Sequence, residues 1–174
     1  MSCRIVVSGR LPRSMGLTRR DLADAAAFFA AKSASRSRLV FREVAIVLQD
    51  DVSSAEVHIA INGAEGPTDV VTQRYDPLPG EMPGVYGELY VNVERAISAA
   101  PHRAGWSAAK ELLLYVAHGM DHLSGEDDTT PRGYAAMRRR ELGWIRAKAT
   151  FLEESRIIIS KEGGKGHVQQ KRVP

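Results

Sequence analysis

Two histidines and an aspartate in the second half of the chain have the spacing of a metal site. His118 and His122 are four residues apart, so on a helix their imidazoles lie one above the other and can bind the same ion. Gly125 can adopt a left-handed conformation that ends the helix and turns the chain back. Asp128 then returns toward the histidines, and the composite pattern HxxxHxxGxxD is much more specific than the histidine pair alone. The spacing predicts one ion held by His118, His122 and Asp128.

The predicted ligand set indicates hydrolytic chemistry. Three protein ligands leave a fourth tetrahedral position for water, which is typical of a catalytic zinc rather than a structural one. A zinc peptidase of the HExxH type needs a glutamate directly after the first histidine, and residue 119 is glycine, so peptidase activity is disfavoured. The carboxylates of Asp121, Glu126 and Asp127 add negative charge that helps to hold a cation but repels phosphate.

The elements that must position these residues follow from the hydrophobic pattern. One helix is predicted from about Trp106 to Leu123, and another begins at Thr129 to Pro131 and runs to about residue 150. Upstream, the pattern predicts strands at 3–8, 44–48, 68–75 and 85–93 and helices at 18–33 and 53–63. The uninterrupted apolar run at 44–48 is typical of a strand that is covered on both faces.

Length and composition indicate one cytoplasmic domain. The chain has 174 residues and a single cysteine, Cys3, which we expect to be a small buried hydrophobe in the first strand. No apolar run approaches the ~18 residues of a membrane span, and the apolar start is too short for a secretory signal. Residues 1–160 are predicted to form the domain, and the polar, glycine-rich segment 161–174, with 4 basic and 1 acidic side chains, is predicted to be a disordered basic tail.

Three segments of the chain resemble one known family. Residues His118 to Asp128 resemble the HGxLHLxGYDH signature of the YbeY family, which are bacterial single-strand-specific metallo-endoribonucleases of ribosomal RNA maturation. Residues 66–72 resemble the PT(D/N)VLSF strand of that family, and residues 87–91 resemble its GDIVI strand, in the same order. The resemblance covers roughly residues 4 to 150. It implies an α+β fold, with a small mixed four-stranded β-sheet packed with about five helices.

The resemblance also implies a function. It suggests a zinc-dependent endoribonuclease that cleaves single-stranded ribosomal RNA, acting in maturation of the 16S 3′ end and in ribosome quality control. One Zn²⁺ is expected, with other divalent transition metals as alternatives. The expected partners are single-stranded ribosomal RNA and the ribosomal particle, with no membrane and no DNA partner. The sequence leaves open the physiological metal, the bond that is cleaved, the protein partners and the oligomeric state.

Several residues depart from the pattern of the family. The third ligand is aspartate rather than histidine, which leaves a Zn²⁺ site at formal charge +1 instead of +2 and more tolerant of harder metals. Asp121 and Glu126 replace the leucine and tyrosine of the signature. Asn62 falls near a position where the family has an arginine that is important for RNA cleavage.

Binding of RNA must then depend on positive charge elsewhere. Arg74, Arg103 and the N-terminal arginines are the candidates for binding substrate, whereas the run 138–140 is interpreted as a solvated helix face. The alternative function is a ribosome assembly factor that binds the particle with a weak or inactive nuclease site. A fourth protein ligand such as Asp121 closing the metal site would favour that alternative.

Overall fold

A mixed four-stranded sheet with helices forms the protein. The computed structural model describes residues 3–102 and 104–163, with side chains as far as Lys148. The strand order is β1-β2-β4-β3, in which β1, β2 and β4 are parallel and β3 is antiparallel to β4. The strands are β1 (Arg4–Gly9), β2 (Phe41–Gln49), β3 (Val70–Tyr75) and β4 (Val85–Asn92), and the helices are α1 (Arg19–Ser37), α2 (Asp51–Asn62), α3 (Val93–Ala99), α4 (Ala108–Leu123) and α5 (Pro131–Gly163). The described residues therefore confirm the predicted α+β class.

Local side-chain chemistry sets the start of several helices. The Thr18 hydroxyl accepts from the Asp21 amide at 3.1 Å, and the Asp21 carboxylate accepts from the Thr18 amide at 2.8 Å, so the two residues form a capping box at the start of α1. Helix α2 begins at Asp51, two residues earlier than predicted, because the Asp50 carboxylate accepts from the Ser53 amide at 2.8 Å. These caps satisfy backbone amides that have no partner inside the helix.

Helix α4 is the central helix of the fold. It packs against the sheet and contacts α1, α3 and α5. One side of it forms a core stripe that is wholly buried, at 0% exposure for each member: Leu112, Val116, Met120 and Leu123. The opposite side is also enclosed, since Asp121 is 0% and Glu111 is 3% exposed. The polar residues of α4 therefore have to find their partners within the protein.

The structure corrects three of the predicted elements. Only one face of β2 is fully buried, with Val44, Ile46 and Leu48 facing the core, and the intervening residues are half-buried. The segment after β4 forms the unpredicted helix α3, because the side chain of Asn92 accepts from the Arg95 amide at 2.9 Å and caps a helix there. Strand β4 accordingly ends one residue earlier than predicted.

Helix α5 continues to Gly163 rather than ending near residue 150. No glycine or proline lies between Gly143 and Gly163, so the sequence contains no strong helix breaker there. The helix extends into residues 161–163 of the predicted tail, whereas residues 164–174 lie outside the described residues. The boundary at residue 160 stays a prediction. Among the residues that the structure describes, no helix has the length and apolar character needed to cross a membrane.

Glycines allow α4 to approach the sheet closely. A methyl group at Gly119 would lie 2.7 Å from the Leu89 side chain of β4 and 3.2 Å from the Val70 side chain of β3. A methyl group at Gly87 of β4 would lie 2.5 Å from the side chain of Leu123. Both contacts are shorter than atoms normally pack, so the close approach of α4 to the sheet depends on these two missing side chains.

We expect Gly119→Ala to lower the free energy of unfolding by about 1–3 kcal/mol, because the added methyl overpacks the contact between α4 and the sheet. Gly143→Ala is the matched control, since Gly143 is an exposed helical glycine with no neighbouring atom within 4 Å of an added methyl. It should raise stability by about 0.5–1 kcal/mol through helix propensity. Denaturant unfolding of the metal-free protein measures both, and a stabilising Gly119→Ala would contradict the packing argument.

Candidate metal centre

Three predicted ligands meet at the C-terminal end of α4. The Nε2 atoms of His118 and His122 are 3.1 Å apart. Asp128, in the loop before α5, places Oδ2 at 3.5 Å from Nε2 of His118 and Oδ1 at 3.8 Å from Nε2 of His122. Ligands at 2.0–2.1 Å around a tetrahedral zinc lie about 3.3 Å from one another. The donor atoms of the three residues, which all lie within 4.8 Å of one another, therefore have the types and spacing to hold a metal ion.

The turn after α4 brings Asp128 back to the histidines. Gly125 has a left-handed φ of 90°, and its amide donates to the His122 carbonyl at 2.9 Å. The carboxylate of Asp127 then accepts from the amide and hydroxyl of Thr129, at 2.8 and 2.9 Å. These contacts within the loop support the predicted role of Gly125 as the residue that ends the helix and redirects the chain.

Hydrogen bonds at the rear of both imidazoles select the tautomer that metal binding requires. The Nδ1 atom of His118 lies 2.7 Å from Oε1 of Glu141, and that of His122 lies 3.1 Å from the carbonyl of Glu126. Both partners are acceptors, so each Nδ1 carries the proton and donates. The lone pair of each Nε2 then faces the common point near Asp128.

Glu141, on α5, lies behind a candidate ligand and was not predicted from the sequence. Its side chain is 1% exposed, and its Oε2 atom has no hydrogen-bond partner among the described residues, although Nη1 of Arg138 lies 3.6 Å away. A buried carboxylate behind a ligating histidine orients the ring and raises its basicity. Glu141 is 23 residues from His118 along the chain. No local spacing indicates such a pair, because only the packing of α5 on α4 creates it.

The two imidazoles differ in how readily they take a proton. Burial by itself lowers the pKa of His118, but the hydrogen bond and charge of Glu141, with the charges of Asp69 and Asp128, raise it overall. Burial and the neighbouring His118 lower the pKa of His122. In the metal-free protein, a proton therefore binds His118 before His122.

Asp121 does not close the candidate site. Its Oδ2 accepts from Nε and Nη2 of Arg140 at 2.9 and 2.7 Å, and its Oδ1 accepts from the Ser33 hydroxyl at 3.3 Å. The carboxylate of Glu126 is likewise paired with Arg140 and Arg36. Two of the three acidic side chains that were expected to add negative charge around the ion are therefore offset by arginines.

The run at 138–140 is not simply a solvated helix face. Arg138 and Arg140 make buried or half-buried contacts with Glu141 and Asp121, and only Arg139 of the three is exposed.

Cys3 is half-buried, and burial together with the charge of Glu43 raises the pKa of its thiol to about 11. Such a thiol is a poor nucleophile. Cys3 nevertheless lies just before β1 and is only half-buried, so its predicted buried position inside the first strand is wrong.

The predicted substrate-binding residues have different positions. Nη1 of Arg74, at the end of β3, donates to the carbonyl of Leu123 at 3.4 Å, directly after the ligand His122. Asn62 is the last residue of α2 and is exposed, and no hydrogen bond joins it to the candidate ligands within the described part of the chain. Arg103 lies outside the described residues. Of the two candidates that the structure describes, Arg74 lies close to the end of α4 that carries the candidate ligands.

We expect Glu141→Gln to weaken Zn²⁺ binding by about 10- to 100-fold, because it removes the charge that orients His118 and makes its imidazole more basic. Glu56→Gln, at an exposed position on α2, is the matched control and should leave the affinity unchanged. Competition titrations against a zinc chelator measure both affinities. Equal affinities for the two variants would contradict the role assigned to Glu141.

Comparisons with known proteins identify relatives of this chain. A family model described as Endoribonuclease YbeY matches residues 17–147. A Rhodopirellula baltica protein named Endoribonuclease YbeY is 38% identical over 100 residues, which cover 57% of this chain and 50% of that protein. A Roseiflexus sp. (strain RS-1) protein of the same name is 34% identical over 119 residues, covering 64% of this chain and 74% of the relative. The matched part of the chain thus spans half of the first relative and about three quarters of the second.

A solved structure shares the fold. The solution structure of TM1509 from Thermotoga maritima aligns with a TM-score of 0.56 over 98% of this chain and 99% of that one, at 20% sequence identity. This likeness supports the arrangement of strands and helices, while the family model covers all three candidate ligands. The chain belongs to the YbeY family.

Proposed function

We propose that this protein is a metal-dependent, single-strand-specific endoribonuclease that acts in ribosomal RNA maturation, including that of the 16S 3′ end, and in ribosome quality control. The observation that carries the proposal is the convergence of His118, His122 and Asp128 on one point, with Glu141 behind the first histidine. A shared fold alone would not carry it, because one fold serves many functions. The printed name of the matching family model supports the reaction class.

The donor set suits Zn²⁺, with other divalent transition metals as alternatives. Two neutral imidazoles and one carboxylate are common zinc ligands, and three ligands leave a position for substrate or water. When bound, the ion supplies a Lewis acid that polarises a phosphoryl oxygen and activates water for hydrolysis. His118, His122 and Asp128 hold the ion, while Glu141 and the carbonyl of Glu126 keep both rings in the binding orientation.

Arg74 is the residue that we propose to bind an RNA phosphate. Its single hydrogen bond to the Leu123 carbonyl uses one of five N–H donors, and the side chain is exposed. The remaining donors can bind a phosphate beside the end of α4 that carries the ligands. Arg103 remains a second proposed phosphate ligand. Asn62 can donate a hydrogen bond to RNA, but it cannot supply the positive charge of the arginine that it replaces.

The proposed partners are single-stranded ribosomal RNA and the ribosomal particle, and the proposed location is the cytoplasm. These proposals follow from the family and from the separation of basic and acidic side chains into different segments of the chain. Residues 1–40 carry 8 basic and 2 acidic side chains, whereas residues 41–100 carry 3 basic and 10 acidic ones. A polyanion would therefore contact selected faces of the protein rather than the whole surface.

A second candidate function is ribosome assembly without effective RNA cleavage. It is favoured by the asparagine at position 62 and by the engagement of Arg36 and Arg140 with carboxylates, which leaves less free positive charge near the site. It is disfavoured by the position of Asp121, which binds Arg140 and does not close the candidate site. Both functions share the same fold, so activity measurements have to separate them.

The test combines metal analysis with cleavage assays on single-stranded and duplex RNA of one sequence. We expect the purified protein to bind about one ion, to cut only the single-stranded RNA, to lose activity with a chelator and to regain it with Zn²⁺. His122→Ala should abolish both binding and cleavage. Metal binding without cleavage, together with retained binding to the ribosomal particle, would favour the assembly factor. A protein that binds no metal would contradict the hydrolase.

We expect Arg74→Gln to weaken binding of single-stranded RNA and to make the salt dependence of the affinity shallower by about 0.7 in log–log slope, since one phosphate contact is lost. Arg139→Gln is the matched control, because it removes the same charge from an exposed position on α5. Titrations at several salt concentrations in the presence of a chelator separate binding from cleavage. Equal slopes for the two variants would show that Arg74 makes no special contact.

A further inference from the structure

Four alternating charges lie behind the candidate metal centre and connect three helices with the loop between α4 and α5. We name Arg36, Glu126, Arg140 and Asp121 the charge chain. Nε and Nη2 of Arg140 donate to Oδ2 of Asp121 at 2.9 and 2.7 Å, and Nη2 also donates to Oε2 of Glu126 at 3.2 Å. The other oxygen of Glu126 forms an ion pair with Arg36 of α1. Both carboxylate oxygens of Glu126 are therefore held, each by a different helix.

The charge chain runs from the interior to the surface. The side chain of Asp121 is 0% exposed and that of Arg140 is 17% exposed, whereas those of Glu126 and Arg36 are 30% and 41% exposed. A buried ion pair of this kind stabilises a fold no better than well-packed apolar side chains, because both charges must be desolvated. The stability of the fold alone therefore does not account for the inner pair, Asp121 and Arg140.

The backbone of Glu126 is tied directly to the candidate ligands. Its carbonyl accepts from Nδ1 of His122 at 3.1 Å, and its amide donates to the carbonyl of Asp121 at 3.2 Å. Asp128 follows two residues later in the same loop. The side chain of Glu126 is held by α1 and α5. Its backbone therefore sets the tautomer of His122 and the path of the chain to Asp128.

We infer that the charge chain is a positioning device for the metal centre, in which Arg36 and Arg140 hold Glu126 so that His122 and Asp128 keep their binding geometry. Glu126 is a positioning residue that acts through His122, and Arg36 and Arg140 act through Glu126. The leucine and tyrosine of the family signature, at positions 121 and 126, carry no charge and cannot form this chain. The inference deepens the proposed function, on which it rests, and concerns metal affinity rather than cleavage.

The test measures Co²⁺ and Zn²⁺ dissociation constants and the visible spectrum of the Co²⁺ form, together with the thermal stability of the metal-free protein. Glu126→Gln keeps the backbone carbonyl and removes the charge that Arg36 and Arg140 hold. We expect its metal affinity to fall by about tenfold or more, with a changed Co²⁺ spectrum. Amide hydrogen exchange at Thr129 in the metal-free protein should become faster, while exchange in the middle of α4 stays unchanged. Glu56→Gln, exposed on α2, is the control.

The double variant Asp121→Leu with Arg140→Leu removes the inner pair without leaving an unpaired buried charge. Metal-free stability should be nearly unchanged, whereas metal affinity should again fall by about tenfold. Arg139→Leu, on the exposed side of α5, is its control. If the double variant does not fold, Glu126→Gln decides the question. Wild-type affinity and spectrum in Glu126→Gln would overturn the inference.

The failure of this inference differs from failure of the proposed function. Metal binding by the wild-type protein, loss of affinity in Glu126→Gln and no RNA cleavage by either would support the positioning role and contradict the nuclease. Cleavage by the wild-type protein with equal metal affinity in both proteins would overturn the positioning role alone. A wild-type protein that binds neither metal would overturn both.

Discussion

Helix α4 is enclosed by the sheet and three other helices, so its buried polar side chains need partners inside the protein. Three such partners lie outside α4, one just before its start and two on α5. The indole of Trp106 donates to Glu111 at 2.6 Å, Arg140 binds Asp121, and Glu141 accepts from His118. The candidate metal centre is one result of this constraint. A helix that carries histidines into a low-dielectric interior must also bring in the groups that hold them.

This enclosure also determines the electrostatics of the centre. Two neutral imidazoles and Asp128 would leave a bound Zn²⁺ at formal charge +1, and the buried carboxylate of Glu141 lies directly behind one ligand. The negative charge that favours a cation is therefore concentrated at the ligands and at Glu141. Asp121 and Glu126 contribute less, because Arg140 and Arg36 neutralise them. Positive charge that binds RNA would have to come from arginines outside these pairs, such as Arg74, which contacts the C-terminal end of α4.

The departures from the family signature at positions 121, 126 and 128 are linked by contacts and by the loop after α4. Asp121 and Glu126, in place of leucine and tyrosine, both bind Arg140, and the loop that they hold carries the aspartate that replaces the third histidine. A carboxylate ligand is shorter than an imidazole, so the backbone that carries it has to approach the ion more closely. A loop fixed by charge at Glu126 is one way to maintain that approach. The changed residues are therefore coupled through contacts, although they are separated in the signature.

The sequence by itself determined the features that depend on neighbouring residues. The capping box at Thr18, the helical spacing of His118 and His122, and the turn at Gly125 all lie within a few residues, where backbone geometry fixes the distances between side chains. The four strands and the three candidate ligands were predictable for this reason, whereas the α+β class and the mixed sheet were implied by the family resemblance. The short helix α3 and the length of α5 were missed, because a single cap and the absence of a breaker are weak signals beside a strong strand pattern.

Only the tertiary structure decided which distant residues complete the site. Glu141 was indistinguishable from a surface glutamate in an arginine-rich helix, and the packing of α5 on α4 alone places it 2.7 Å from His118. The same packing turned Arg140 from an expected surface charge into the partner of Asp121, and removed Asp121 as a fourth ligand. Spacing along one helix fixes contacts within one or two turns. Contacts between helices depend on how all the apolar faces pack together, and that packing is a property of the whole chain.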